Sequence, residues 1–274
     1  MKKSGKEKKR IKICLAGATG WVGRALVPAI LDADDLKLTA AVARTEEGKS
    51  LGDMLGINDL GVILCSSVKE ALKEDCDVLV DYTSPLIVKE NVMTAIKRKI
   101  NVVIGTSGLT DSDYEEIHKA AVINGVGVLA AGNFAITAVL LQKFAEIAAK
   151  YIPQWEIFDY ASDDKPDAPS GTSRELASRL SGIKKPKIRI PAEKTVGIKE
   201  SRGANLHGMQ VHSVRLPGYI SSAEVIFGLD DMRLTIRHDA GNSAVPYVHG
   251  TLMAVRKVVS FMGLKRGLDT IIGS

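Results

Sequence analysis

The stretch Ile11-Lys-Ile-Cys-Leu-Ala-Gly-Ala-Thr-Gly-Trp-Val-Gly23 joins a short apolar run to three regularly spaced glycines. Leu26, Val27, Ile30 and Leu31 follow at the spacing of one helix face, which predicts an amphipathic helix after the glycines. A strand, a glycine turn and a helix in this order form the first βα unit of a dinucleotide-binding fold. The stretch therefore predicts a Rossmann-type domain.

Each glycine of this turn has a predicted role. Gly17 permits the tight turn, Gly20 lets the backbone approach a pyrophosphate, and Gly23 lets helix and strand pack closely. The spacing is G-x-x-G-x-x-G instead of G-x-G-x-x-G, so the motif alone is only moderately specific. Its position directly after a predicted strand supplies the context that a nucleotide-binding turn requires.

A second predicted strand, residues 38–43, ends about 20 residues after the last of these glycines. In such a fold, an acidic residue at this point holds the ribose 2′-hydroxyl of NAD. Ala43 and Arg44 stand there instead, and an arginine can pair with a phosphate. We therefore expect NADPH in preference to NADH, the alternative being that Arg44 is an ordinary surface-loop residue.

Strands and helices are predicted to alternate through the rest of the first half of the chain, which implies a parallel, doubly wound sheet. Cofactors bind at the carboxyl ends of such strands, which nominates the turns at residues 82–84, 105–108 and 132–134. Ordinary turn chemistry is the alternative for each of these turns. The predicted strands are residues 62–65, 77–81, 101–104 and 127–131, and the predicted helices are residues 68–74, 85–98, 111–124 and 135–151.

The pattern changes after about residue 150. Residues 184–204 are rich in Lys, Arg, Gly and Pro and are predicted to be exposed, and three strand-like runs follow at 209–216, 221–227 and 232–238. Short connections between these runs favour a largely antiparallel sheet, and a last helix over 244–262 is predicted to return to the first domain. The predicted class is α/β, a Rossmann-type doubly wound sheet with a second α+β domain on a mixed or antiparallel sheet. The predicted boundaries are 1–10 for a basic tail, 11–134 plus about 241–274 for the dinucleotide-binding domain, and 135–240 for the second domain.

Residues 160–172, Tyr-Ala-Ser-Asp-Asp-Lys-Pro-Asp-Ala-Pro-Ser-Gly-Thr, run from a predicted strand to a predicted helix. Ser170, Gly171 and Thr172 fall where a helix N-terminus leaves backbone N–H groups unpaired, which suits a carboxylate. Lys165 can bring a positive charge to the same anion. The alternative is an ordinary loop with a Ser or Thr helix cap.

The formal charge of +5 belongs entirely to the first ten residues, which carry six basic side chains and one acidic one. Such a tail is predicted to be a disordered, solvated end, so we expect neither nucleic acid nor a membrane as a partner. The sequence has no apolar run of about 18 residues to span a bilayer and no signal-peptide core. Cys14, Cys65 and Cys76 are predicted to be reduced core thiols of a cytoplasmic protein, with no metal site.

Together these motifs resemble the dihydrodipicolinate reductase family, and the resemblance extends from about residue 11 to about residue 262. It implies reduction of a cyclic imine dicarboxylate in lysine and diaminopimelate biosynthesis with NADH or NADPH. It also implies that the second domain binds substrate and assembles homotetramers. The segments that carry the resemblance are Gly17-Ala-Thr-Gly-Trp-Val-Gly23, Asp77-Val-Leu-Val-Asp-Tyr-Thr83, Ile104-Gly-Thr-Ser-Gly108, Ala130-Ala-Gly-Asn-Phe134, Lys165-Pro-Asp-Ala-Pro-Ser-Gly-Thr172 and Val211-His-Ser-Val-Arg-Leu-Pro217.

Carried over to this sequence, the resemblance gives Lys165 a substrate-binding role and a catalytic role as proton donor. Gly171 and Thr172 would hold a substrate carboxylate beside Ser170. The cofactor-binding residues predicted from the turns and the resemblance together are Gly17, Thr19, Gly20, Trp21, Val22, Arg44, Tyr82, Thr83, Gly105, Thr106, Ser107, Asn133 and Phe134.

The sequence departs from the family where two adjacent histidines are expected, a proposed general acid and a substrate ligand. Ala161 and Ser162 occupy these positions, so Ser162 is the remaining candidate for the ligand. The acidic residues Asp163 and Asp164 follow and would repel a dicarboxylate. Ser243 stands where the family offers a substrate-binding arginine.

Three functions therefore stay open. The first is the family reaction with a different proton donor, which could be Lys165, Tyr160 or a bound water. The second is reduction of another cyclic imine, with one carboxylate. The third is an NADPH-binding paralogue without turnover that acts as a sensor or assembly partner.

Overall fold

The computed structural model of the protein describes residues 9–273. The predicted basic tail lies outside these residues except for Lys9 and Arg10. The chain forms two compact units, the first made of residues up to Ala135 and from Ala244 onward, the second of Ile136–Ser243. Within the described residues, no helix is both long and apolar enough to cross a bilayer.

The strands are β1 (Ile11–Ala16), β2 (Leu36–Val42), β3 (Leu64–Cys65), β4 (Val78–Asp81), β5 (Asn101–Ile104), β6 (Gly127–Ala130), β7 (Gln154–Ala161), β8 (Ala204–Leu206), β9 (Met209–Arg215), β10 (Ser221–Leu229), β11 (Met232–Ala240) and β12 (Gly263–Arg266). The helices are α1 (Trp21–Leu31), α2 (Leu51–Leu55), α3 (Val68–Ala71), α4 (Val88–Lys97), α5 (Asp111–Asn124), α6 (Ile136–Tyr151), α7 (Gly171–Ile183) and α8 (Val245–Val258).

The first unit is built on a parallel sheet in the order β12-β6-β5-β4-β1-β2-β3. The apolar runs of β1, β4, β5 and β6 are almost wholly buried, as expected for strands covered on both faces. The chain order reverses at β1, which has β2 on one side and β4 on the other. Ligands bind at such a switch point, so the carboxyl ends of these strands position the site.

The second unit has a five-stranded sheet in the order β11-β10-β7-β9-β8. Every pair in it is antiparallel except β7 and β9, which run parallel because α7 and the segment after it cross over between them. The predicted fold class, including the mixed second sheet, is therefore confirmed. Helices α6 and α7 pack on the face of this sheet that carries Trp155 and Ile157.

Several predicted elements change in the structure. The short strand β12 was not predicted, and it pairs with β6 after α8 ends at Val258 instead of residue 262. Strand β8 and helix α2 were not predicted. The strand predicted at residues 62–65 is shorter in the structure, where β3 comprises only Leu64 and Cys65. Strand β7 continues to Ala161 and so includes the first two residues of the segment 160–172.

Candidate active site

The turn between β1 and α1 has the geometry of a nucleotide-binding turn. Gly17 adopts φ +84°, and a Cβ there would lie 2.1 Å from the carbonyl oxygen of Tyr82, so only glycine fits. Helix α1 follows Gly20, and no side chain caps its N-terminus. Its first backbone N–H groups therefore have no acceptor within the helix and can bind a pyrophosphate. Trp21 is 58% exposed and packs edge-on against Tyr247 at 5.6 Å.

A cavity of about 450 Å³ opens at this turn and extends along the carboxyl ends of the strands. Arg44, the residue predicted to select NADPH, lies in its wall and is exposed. The backbone N–H of Ala43 donates to the carbonyl of Cys65 at 3.0 Å, which fixes the start of the Arg44 loop. The cavity brings together six of the predicted cofactor-binding residues, namely Gly17, Thr19, Gly20, Arg44, Tyr82 and Thr83.

Asp81, at the end of β4, is a buried carboxylate that the sequence reading did not assign to the site. It accepts hydrogen bonds from the hydroxyls of Thr83 at 2.7 Å and Thr106 at 2.6 Å. The side-chain amide of Asn91 donates to its other oxygen at 2.8 Å. Thr83 and Thr106 therefore join the ends of β4 and β5 through Asp81, which holds both turns at the cofactor edge.

Tyr82 organises the next part of this edge. Its hydroxyl lies 2.7 Å from the Thr251 hydroxyl, its ring meets Phe134 edge-on at 5.9 Å, and burial raises its pKa. A Cβ on Gly105 would fall 2.1 Å from the Tyr82 ring, so this glycine is required by packing. Phe134 is buried, whereas Ser107 is exposed at the surface of the same edge. Asn133 accepts a hydrogen bond from the Ala135 N–H at 2.8 Å and so closes its own turn.

In the second unit, a buried carboxylate again holds the predicted site segment. Asp159 accepts hydrogen bonds from the Ser170 N–H at 3.0 Å and from the Ser173 hydroxyl at 2.9 Å, and the Ser170 hydroxyl bonds it as well. Arg215 donates to it at 2.7 Å. Burial alone would raise the pKa of Asp159, but the bonds from Ser170 and Arg215 hold this pKa below its ordinary value. The donors of Ser170 thus serve the fold, which leaves Gly171 and Thr172 as the N–H groups at the start of α7.

Lys165 lies in the loop before α7 and pairs with Asp167 at 2.6 Å. This pairing lowers the pKa of Asp167. Arg215 donates to the backbone carbonyl of Asp167 at 2.6 Å and so ties the loop to β9. Arg174 donates to the backbone carbonyl of Pro169. The loop and the first turn of α7 therefore present two cations, Lys165 and Arg174, beside the exposed start of this helix.

Two family models match the chain over nearly its whole length. The model for the N-terminus of dihydrodipicolinate reductase matches residues 11–134, and the model for its C-terminus matches residues 137–269. The chain belongs to the dihydrodipicolinate reductase family. The family and the class of reductase predicted from the motifs are thereby confirmed.

Named relatives in this family are similar along the full chain. The 4-hydroxy-tetrahydrodipicolinate reductase of Desulfitobacterium hafniense (strain DSM 10664 / DCB-2) is 39% identical over 266 residues, which cover 96% of this chain and 99% of the relative. That of Halalkalibacterium halodurans is 37% identical over 263 residues, with 96% and 99% covered. The solved dihydrodipicolinate reductase from Paenisporosarcina sp. TG-14, with dipicolinate bound, has a TM-score of 0.86 and 29% identity over 96% of this chain and 100% of that one. An amine dehydrogenase from Mycobacterium smegmatis, at TM-score 0.67 and 14% identity over 97% of each chain, shares the fold alone.

Two of the positions at which this dihydrodipicolinate reductase family member was predicted to depart from the family, Ala161 and Ser162, lie at the end of β7. Ala161 is fully buried and offers no proton, and the Ser162 hydroxyl lies 3.4 Å from the Asp163 carboxylate. Tyr160, an alternative proton donor, lies on the sheet face opposite α6 and α7, where Arg237 stacks over its ring at 4.7 Å. His238 is also buried, with its Nδ1 2.9 Å from the Thr137 hydroxyl.

The residues of the first unit fit a nicotinamide dinucleotide. The uncapped start of α1 suits the pyrophosphate, because its unpaired backbone N–H groups can donate to phosphate oxygens. A Cβ at Gly20 would lie 3.1 Å from the Gly17 carbonyl oxygen, so a larger residue would crowd this turn. The cavity beside this turn carries Arg44 at the end of β2 and no carboxylate at that position. The first unit therefore has the turn and the cavity that a nicotinamide cofactor requires.

Proposed function

We propose that the chain reduces the C=N bond of a cyclic imine carboxylate with NADPH, and that the substrate is the one for which its 4-hydroxy-tetrahydrodipicolinate reductase relatives are named. The observation that carries this proposal is the family match over both units together with the retained Lys165 before α7. When bound, the reduced nicotinamide supplies the hydride. The chain's own residues have to hold the substrate and deliver one proton to its nitrogen.

A substrate carboxylate would bind at the start of α7. The backbone N–H groups of Gly171 and Thr172 are the first of that helix, and anions are favoured there by the unpaired N–H groups and the helix dipole. Lys165 adds a full positive charge once the substrate competes with Asp167 for it. Ser170 holds the start of α7 in place through its hydrogen bonds to the buried Asp159. The Ser162 hydroxyl is a further donor for the substrate.

Lys165 is also the group we assign as proton donor. Ala161 has no proton to give, and Tyr160 lies on the other face of the sheet beside Glu224 and Arg237. A positioned general acid contributes about 10²–10⁴-fold in rate. A lysine that both pairs with the carboxylate and donates the proton would keep this contribution without the missing histidine.

An assay of NADPH oxidation with the condensation product of aspartate semialdehyde and pyruvate tests this function. Turnover at the rate of a relative that carries the histidine pair, lost in Lys165→Ala, is the expected result. The absence of the family's two histidines at Ala161 and Ser162, beside Asp163 and Asp164, favours a second candidate, an imine with a single carboxylate. Turnover of such imines alone would select this candidate, and tight NADPH binding without turnover of any imine would select a binding protein.

For the cofactor, we infer NADPH from Arg44 and the absence of a carboxylate at Ala43. Calorimetric titration of the protein with NADPH and NADH tests this choice. Tighter binding of NADPH, lost in Arg44→Ala, is expected, and equal affinities in the unaltered protein would refute it.

We also infer that copies of the chain form a homotetramer through the second unit. The support is the sheet face opposite α6 and α7, where Phe158 stacks on His212 at 4.7 Å and Tyr160 meets Tyr219 at 5.1 Å. Light scattering of the protein and of Phe158→Asp tests this assembly. Cys14, Cys65 and Cys76 are free cysteines, and burial raises the pKa of each thiol, which makes the thiols less reactive. Free thiols are typical of the reducing cytoplasm, where we infer that the protein acts.

A further inference from the structure

Two loops leave neighbouring strands side by side at the cofactor edge of the first unit. Strands β2 and β3 are paired in parallel, with Val42 opposite Cys65, and the Ala43 N–H donates to the Cys65 carbonyl at 3.0 Å. Arg44 and Ser66 are the next residues along each loop. Because neighbouring strands lie about 4.8 Å apart, these two residues enter the same small region of the edge.

The turn after β3 lines the same cavity as Arg44 and the glycine turn. Ser66, Ser67 and Lys69 all belong to its wall. The Ser67 hydroxyl oxygen accepts the Glu70 N–H at 3.3 Å as the cap of α3, which fixes the position of this side chain. The Ser66 hydroxyl makes a long hydrogen bond of 3.5 Å to the Glu70 carboxylate, which a phosphate oxygen can replace. The Ser66 hydroxyl and the exposed Lys69 ammonium are the donors of this turn that the proposal uses.

The two cations of these loops that lie in the cavity wall favour an anion, and Glu70, which accepts the Ser66 hydroxyl, lies outside that wall. Neither Arg44 nor Lys69 has a carboxylate partner within residues 9–273, whereas the nearby Glu46 is paired with Lys49 at 2.5 Å. One carboxylate, Glu90, lines the cavity from α4. Glu90 belongs to α4, the helix that follows β4. Strand β4 lies two strands from β2 and three from β3, which is roughly 10 to 14 Å at the usual strand spacing. Glu90 therefore enters the cavity from a different strand end than Arg44 and Lys69.

We propose that Ser66 and Lys69 join Arg44 in a subsite for the 2′-phosphate of NADPH, and that Lys69 is a residue that determines the preference for NADPH over NADH. The inference rests on the proposed use of NADPH. A phosphate monoester carries a charge of about −1.5 to −2 at pH 7, which a single arginine does not neutralise. The neutral 2′-hydroxyl of NADH would instead need an acceptor, and neither loop offers a carboxylate in the cavity wall.

The test compares Lys69→Ala with Lys73→Ala, an exposed lysine of the same connection that lies outside the cavity wall. Dissociation constants of the full chain for NADPH, NADH, 2′,5′-ADP and 5′-ADP are measured by calorimetry. A charge-assisted hydrogen bond of about 1.5–3 kcal/mol corresponds to roughly a 10-fold or greater loss. Lys69→Ala should therefore weaken NADPH and 2′,5′-ADP by about 10-fold or more and NADH and 5′-ADP by less than about twofold, and Lys73→Ala should change none of them.

Three outcomes would overturn the inference. Equal losses for NADPH and NADH in Lys69→Ala would assign Lys69 to the adenine or pyrophosphate, and no loss would remove it from the site. If Lys73→Ala weakened NADPH binding as much as Lys69→Ala does, the loss would be due to the general surface charge and not to a specific contact of Lys69. Failure of the proposed cofactor is a separate result, since it appears in the unaltered protein as equal affinity for NADPH and NADH.

Lys69→Glu provides a second variant with the opposite charge. It should bring the affinity for NADPH below that for NADH, because the new carboxylate repels the phosphate and can accept a bond from the 2′-hydroxyl. The salt dependence of NADPH binding should also become less steep in Lys69→Ala than in the unaltered protein. An unchanged salt dependence in that variant would contradict a direct ion pair between Lys69 and the phosphate.

Discussion

Asp159 and Ser170 are joined by two hydrogen bonds across eleven positions of sequence, from the Ser170 N–H at 3.0 Å and from the Ser170 hydroxyl. These bonds fasten the end of β7 to the first residues of α7 and close the loop that carries Lys165. Arg215 bonds the same carboxylate at 2.7 Å and the Asp167 carbonyl at 2.6 Å. The position of the predicted substrate site therefore depends on the buried ion pair between Asp159 and Arg215.

Asp159→Asn should destabilise the protein by about 3 kcal/mol or more, because it leaves the charge of the largely buried Arg215 without a counterion. The free energy of unfolding from urea titrations followed by circular dichroism measures this loss. Asp163→Asn, at an exposed position of the adjoining loop, is the matched control and should change stability by less than about 0.5 kcal/mol. Equal stability of both variants would contradict the proposed support of the loop.

Thr106→Val removes one donor from Asp81 with little change of shape. We expect a loss of about 1–3 kcal/mol in the free energy of unfolding, since the buried carboxylate loses its 2.6 Å hydrogen bond. The dissociation constants for NADPH and NADH should rise by the same factor, because the turns that hold both cofactors loosen together. Ser112→Ala, at an exposed position of α5 outside the cavity wall, serves as control, and a selective loss of NADPH alone would contradict this explanation.

Lys165→Ala should reduce turnover of the imine by about 10²-fold or more, since the variant loses both the carboxylate partner and the proposed proton donor. The affinity for NADPH, measured separately by calorimetry, should not change. Lys150→Ala removes an exposed lysine at the end of α6 and should leave turnover intact. Unchanged turnover in Lys165→Ala would rule out the proposed substrate site.

Asp167→Asn tests the competition between substrate and protein for Lys165. The 2.6 Å ion pair between Lys165 and Asp167 must break when a substrate carboxylate takes the ammonium group, so its removal should lower KM several-fold. Asp164→Asn removes an exposed carboxylate next to Lys165 without freeing the lysine from Asp167, and it should have the smaller effect. Equal decreases of KM in both variants would indicate general electrostatics instead of competition.

The sequence contained enough information for the first unit's order of elements, because each buried parallel strand is a continuous apolar run followed by a turn and a helix. It did not reveal β12, since Gly263-Leu-Lys-Arg266 carries two cations and becomes a strand only by pairing with β6 at the sheet edge. The parallel pairing of β7 with β9 was hidden for a similar reason, because strand patterns carry no direction.

The supporting carboxylates of the site were also beyond sequence reasoning. Asp81 and Asp159 stand at or near strand ends, where an acidic residue looks like a normal start of a turn. Their roles come from partners that are far away in sequence, such as Thr106 and Arg215. The predicted contacts of Thr83, Thr106 and Ser170 thus turn out to include structural bonds that a motif comparison cannot separate from ligand contacts.

His238 gives the protein a predicted dependence of stability on pH. Its imidazole is 6% exposed, and burial lowers its pKa, an effect that the neighbouring Asp239 opposes. The folded pKa therefore lies below the unfolded value of about 6.5, so the unfolded chain takes up the proton first as the pH falls. The contribution to stability is complete above about pH 6.5 and is lost as the pH falls toward the folded pKa, at no more than about 1.4 kcal/mol per pH unit.

His238→Gln should remove this component, because a glutamine cannot be protonated and can still bond the Thr137 hydroxyl. Urea unfolding at pH 7.5 and pH 5.5 is compared for the unaltered protein, His238→Gln and His249→Gln, the last at an exposed position of α8. The unaltered protein and His249→Gln should lose stability between the two values, and His238→Gln should lose less. The same loss in all three would show that the pH dependence comes from other groups, since the buried imidazole would then be protonated as easily in the folded chain as in the unfolded one.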